Sequence, residues 1–105
     1  MITSGEGKYK VFLEKKKLED DLIFILGGGE RSHIGGVVIC EPDKKPQVIR
    51  LEGHRDDIVL KIIAEAACKK YKTKAVAIGG IHINNASKKE IKLLVNNCKE
   101  LVKCI

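Results

Sequence analysis

Three histidines, His33, His54 and His82, stand in three glycine-rich segments: GGGERSHIGG, EGHRDD and GGIHINN. These segments hold eight of the ten glycines. Neutral imidazole is a common metal ligand and a proton carrier near neutral pH, and glycine lets backbone approach a ligand closely. Only three of the twenty basic residues are arginines, and two of them, Arg31 and Arg55, neighbour these histidines. Arginine suits fixed bidentate contact with phosphate or carboxylate. His33, His54, His82 and Asp56 are therefore candidate metal ligands, with Asp57 and Glu30 as further oxygen donors. Three histidines, or two and a carboxylate, can hold Zn, Mn or Fe with positions left open. The backbone amides opening a helix near Arg55 to Ile58 offer a place for a phosphate. A lone loop histidine is ordinarily exposed or locally hydrogen-bonded. It is the concentration of Gly, His and Arg that points to a site, and the site requires the three corners to converge.

Other chemistry is poorly served. Gly27, Gly29 and Ser32 do not complete G-x-G-x-x-G, and the segment after them reads as a strand. GGGERSH lacks the G-K-[ST] ending of a P-loop, and no G-x-S-x-G occurs. Ser32 reads first as a turn hydroxyl. Cys40, Cys68, Cys98 and Cys104 form no C-x-x-C pair, and they are expected to be small buried thiols of a reducing, cytoplasmic compartment.

The elements that must position these corners follow from periodicity. Tyr9 to Leu13 alternates imperfectly as a strand, after a loose start over residues 1 to 7. KKKLEDD is expected to be a polar connection. DLIFIL, IGGVVIC and QVIRL read as strands, the last two joined as a hairpin by the EPDKKP turn. From Asp56 to about Lys72, Ile58, Val59, Ile62, Ile63 and Ala66 recur at helical spacing, with Asp56 and Asp57 opening the helix where its dipole favours acids. KAVAIGG is a further strand. Ser87 and Glu90 match a capping box, and Ile91, Leu94, Val95, Cys98, Leu101, Val102 and Ile105 form one stripe of a last helix. The order β-β-β-β-α-β-α predicts a single α+β domain over residues 1–105, with a mixed, mostly antiparallel sheet and two packed helices.

Composition bounds the partners. A chain of 105 residues buries a modest core, so association into a homo-oligomer would help its stability. Its only aromatics are Tyr9, Phe12, Phe24 and Tyr71, too few for the base-stacking platforms of nucleic-acid binding. The net charge of +6 comes from lysines scattered through every segment and reads as a solvated surface compatible with a small phosphorylated ligand. No apolar run is long enough to span a membrane, so no membrane partner is expected.

The segments GGGERSHIGGVVI, LEGHRDD and VAIGGIHINNASKKEI together resemble the LpdD-like prenylated-flavin chaperones, accessory proteins of UbiD-type decarboxylases. The resemblance runs from Gly27 to Glu90, and its most specific piece is GHRDD followed by a helix and then GGIH. It implies a fold like that of proteasome-assembly chaperones. It also implies a non-enzymatic role, in which the protein binds reduced prenylated FMN (or FMN) with a divalent metal and delivers it to the decarboxylase. Carried onto this chain, it makes Gly28, Gly29, Arg31, Ser32, His33, Arg55, Gly80 and Asn84 the cofactor-binding candidates, with Arg31 and Arg55 on the phosphate. His33, His54 and His82 would touch metal or isoalloxazine, and Asp56 and Asp57 would support them, one of the two serving as a ligand. An acidic residue is expected where Asn84 stands; its amide suits ligand hydroxyls better than a metal. Two other functions are open: a small metal-dependent hydrolase or isomerase, and an assembly chaperone with no small ligand.

Overall fold

The computed structural model describes residues 1–51 and 56–105; His54 and Arg55 therefore lie outside the described residues. A six-stranded sheet carries two helices on one face. The strands are β1 (Ile2–Ser4), β2 (Val11–Leu18), β3 (Asp21–Gly28), β4 (Arg31–Cys40), β5 (Gln47–Arg50) and β6 (Ala75–His82), and the helices are α1 (Asp57–Tyr71) and α2 (Lys88–Val102). The sheet order is β1-β2-β3-β6-β4-β5. Of these strand pairs only β3 and β6 run parallel; the others are antiparallel. This is the expected α+β architecture with a mixed, mostly antiparallel sheet.

Two expectations about the strands need correction. The start of the chain is not loose: Ile2–Ser4 pairs with Val11–Leu13, and Gly7–Tyr9 makes one 3-10 turn. KKKL is not a connection but the second half of β2, laddered to β3 as far as Leu18 opposite Asp21. Lys15, Lys16 and Lys17 are exposed there, so no alternation of burial marks them as a strand. Beyond Leu13 they form an uncovered edge, where lysines deter pairing with another chain.

The core lies between sheet and helices. Val11, Leu13, Leu22, Phe24, Leu26, Val38, Ala75 and Ala77 alternate along their strands and meet Leu60, Ile63, Ala64, Ala67, Cys98 and Leu101 from the helices. The predicted face of α1 is rotated: Leu60, Ile63, Ala64, Ala67 and Cys68 are buried, whereas Ile58 is 50% exposed. Leu60 packs over Gly36 of β4, Ile63 is fully buried beside Ala64 and Ala67, and Ile58 and Ile62 fall at the edge of the buried face. The cysteine expectation holds for Cys40, Cys68 and Cys98, which are buried; Cys104 is exposed.

Helix α2 begins as its sequence predicts. The Glu90 N–H donates to the Ser87 hydroxyl at 3.1 Å, and the Ser87 N–H donates to Glu90 Oε1 at 3.0 Å. The other carboxylate oxygen accepts from the Tyr9 hydroxyl at 2.9 Å and lies 3.2 Å from Lys8 Nζ, which ties the 3-10 turn to the helix. The Ser87 amide above all, then Tyr9 and Lys8, hold the Glu90 carboxyl down at about 2, against an ordinary 4.5. A carboxyl depressed in the folded state contributes stability above its unfolded pKa and loses it as pH falls through the folded one. The Glu90→Gln protein is therefore expected to melt below wild type at neutral pH, with the gap closing between about pH 4.5 and about 2. Thermal melts across that window check it; a gap constant with pH would dismiss the carboxylate's role.

Candidate functional site

The first glycine corner is a crossing rather than a loop beside a strand. Strands β3 and β4 are joined by two residues, Gly29 and Glu30, yet β6 lies between them in the sheet. The connection therefore passes over the end of β6, where the Glu30 N–H donates to the His82 carbonyl at 2.8 Å. A side chain at Gly29, whose φ is +72°, would place its β-carbon 2.6 Å from that carbonyl oxygen. Gly28, with φ +132°, packs on the backbone of Lys10 and Val11. The Ser32 hydroxyl accepts the Gly28 N–H at 2.9 Å, the turn role that its type suggests. β4 begins at Arg31, three residues before the expected IGGVVIC, so His33 lies within the strand.

This crossing brings two of the three histidine corners together. The His33 and His82 rings meet edge to face, with centroids 6.0 Å apart and planes at 83°. Asp56 joins them from the first residue before α1. Its side chain makes no cap bond to its own helix. Instead Oδ1 accepts the Ile81 N–H of β6 at 3.0 Å, and Oδ2 lies 3.6 Å from His33 Nε2. His33 and Asp56 are nearly enclosed, at 15% and 14% side-chain exposure. The carboxylate fits because Gly35 and Gly80 both lack a side chain: a β-carbon on Gly80 would lie 2.7 Å from Asp56 Oδ2, and one on Gly35 would collide with the same oxygen. Gly80, a ligand-contact candidate by sequence, thus has an internal reason to be glycine. Gly35 is a site residue that sequence reasoning passes over, since nothing local says which side chain will lie over it.

Around this pair runs a polar rim. His82 Nε2 and Asn84 Oδ1 are 2.9 Å apart, and the Asn84 N–H donates to Glu30 Oε1 at 2.9 Å. Arg31 is exposed and pairs in register with His82. Below the rim, between the two helices, lies a cavity of about 220 Å³. Asp56 and His82 give it polar lining, and Val59, Ile81, Leu94 and Val95 are among its apolar walls. Cys98 also lines it, and burial, with the Asp56 charge adding, pushes that thiol up to about 12, so it is neutral at physiological pH.

The metal expectation fares differently from the convergence expectation. Among the described residues no three His, Cys, Asp or Glu side chains are grouped to hold an ion. His33 and Asp56 are neighbours, His82 faces Asn84, and the remaining candidate, His54, lies outside the described residues, as does Arg55. The described residues offer a polar rim for a ligand rather than a closed ligand set.

Two layers, one open sheet face and a histidine–carboxylate cluster beside an apolar cavity make up this small α+β domain. The chain matches the model of the prenylated flavin chaperone LpdD-like domain over residues 5–105, and it belongs to that family. No curated protein matches the chain. Among the described residues no helix is long and apolar enough to cross a membrane.

Proposed function

We propose that this protein binds reduced prenylated FMN at the His33–Asp56–His82 cluster and hands it to a UbiD-type decarboxylase, without itself turning over a substrate. The observation that carries this reading is the meeting of His33, Asp56 and His82, two of which, Asp56 and His82, line an apolar cavity between the helices. A flavin needs such a combination: an apolar surface for its rings and a few fixed polar groups for their edges. Arg31, together with Arg55, supplies charge for the phosphate. With no tryptophan in the chain, the ring is left loosely stacked, which suits a carrier that must release its cargo.

Anaerobic calorimetric titration with reduced prenylated FMN, with and without Mn²⁺, tests the reading. Binding is expected in wild type and is expected to weaken about tenfold or more in His33→Ala. Binding that needs Mn²⁺ and disappears in His54→Ala would support a metal bridge; metal-independent binding would assign the ligand to the rim alone. No binding under either condition would overturn the flavin reading.

The same reading includes self-association through the uncovered sheet face. Ile25, Ile78, Val37 and Ile49 stand in register across four strands, and Ile23, Val76 and Ile39 form a second row beside them. None of these side chains belongs to the buried core. The molecule measures 37 × 27 × 19 Å, so its broad face can supply the roughly 800 Å² per partner of a standard interface. Sedimentation equilibrium is expected to show an oligomer that Ile78→Lys converts to monomer; a monomeric wild type would refute it.

A further inference from the structure

The stripe of α2 predicted from sequence is only partly used by the core. Cys98 and Leu101 are buried, but Ile91 is 50% exposed, and Leu94 and Val95 are half-buried. Leu94 reaches the edge of the core, and all three also line the cavity between the helices together with Val59 and Ile81. An amphipathic helix ordinarily buries its whole apolar stripe. Here the first two turns leave theirs facing a void of about 220 Å³. That volume is below the roughly 300–1,000 Å³ of pockets that enclose a whole drug-sized ligand. It therefore suits a compact apolar part of a ligand whose remainder stays outside. Its titratable oxygen and nitrogen groups belong to Asp56 and His82, so a ligand that sets its polar part against these two would place its apolar part against Val59, Ile81, Leu94 and Val95.

From this geometry we infer that the cavity between α1 and α2 is the subsite for the branched aliphatic unit that prenylation adds to the flavin, and that it is where the protein distinguishes prenylated from plain FMN. The inference rests on the flavin reading above. A flavin lacking the aliphatic unit keeps every rim contact but leaves the cavity unfilled, and each apolar group so forfeited lowers affinity by about tenfold or more.

The test is the ratio of affinities for reduced prenylated FMN and reduced FMN, measured anaerobically on wild type and on Leu94→Trp, which fills the cavity from α2. Ile91→Phe, on the same wall at a half-exposed position, serves as a second variant should the first fail to fold. The ratio is expected to favour the prenylated flavin in wild type and to fall about tenfold in the variants, with FMN affinity changed less than about twofold. A ratio that stays constant, whether both flavins weaken together or neither does, overturns the subsite. A wild type that binds neither flavin overturns the flavin reading beneath it, and the two failures are thereby told apart.

Discussion

Asp56→Ala is expected to abolish most flavin binding and to loosen the junction of α1 with β6. One carboxylate serves both ends of that junction: Oδ1 takes the Ile81 N–H, and Oδ2 faces His33. Alanine leaves the Ile81 amide without its acceptor in a part-buried place, a loss of about 1–3 kcal/mol. Among the described residues, it also removes the only acidic side chain lining the cavity mouth beside His82. Affinity for reduced prenylated FMN should fall by about a hundredfold, equivalent to roughly 2.7 kcal/mol. Asp56→Asn separates the two roles, because its amide oxygen can still accept the Ile81 N–H while the charge is gone. Urea melts of the Asn protein are expected to lie near wild type while binding remains weak. An Asn protein that binds flavin as wild type does would make Asp56 a structural strut and remove its charge from recognition.

Gly79→Ala should be the most damaging single methyl in the sheet. Gly79 has φ +126°, a region that side chains avoid, and a β-carbon there would collide with the Leu26 carbonyl oxygen on β3. Leu26 and Gly79 are register partners at the end of the parallel pair, so neither strand can yield without breaking the ladder that places His82. The expected cost is about 3 kcal/mol or more, which lowers the melting temperature by about 15 °C in a domain of this size. Gly7→Ala is the control. Its φ is +61°, but nothing lies within 4 Å of a β-carbon there, so it should cost only about 1 kcal/mol. Equal melting temperatures for the two variants would refute the steric argument.

Much of the fold is legible in the sequence because its signals are local. The Ser87–Glu90 capping box, the hairpin of β4 and β5 and the limits of α1 each depend on residues within a turn or two of one another. The lysine half of β2 is illegible because its partner strand, not its own pattern, makes it a strand. The buried face of α1, centred on Leu60, Ile63, Ala64, Ala67 and Cys68, differs from the one its periodicity predicts because apolar residues ring more than one face of this helix and the sheet it packs on decides which is covered. Cys104, expected among the buried thiols, lies past the end of α2 and is exposed.

For the site, residue types alone are informative: His33, His82, Asp56 and the glycines around them announce polar chemistry on close-packed backbone. Their meeting is not encoded in any segment. It depends on β6 entering the sheet between β3 and β4, strands that only Gly29 and Glu30 separate in sequence. Local propensity can specify that a stretch is a strand, but it carries no information about which gap in the sheet that strand will fill. That choice belongs to long-range burial of Ala75 and Ala77 beneath α1, and to glycines at 29, 35, 79 and 80 that give backbone and carboxylate room to pass. The insertion carries His82 to the crossing, sets the Ile81 amide under Asp56, and so makes one site from residues scattered along the chain.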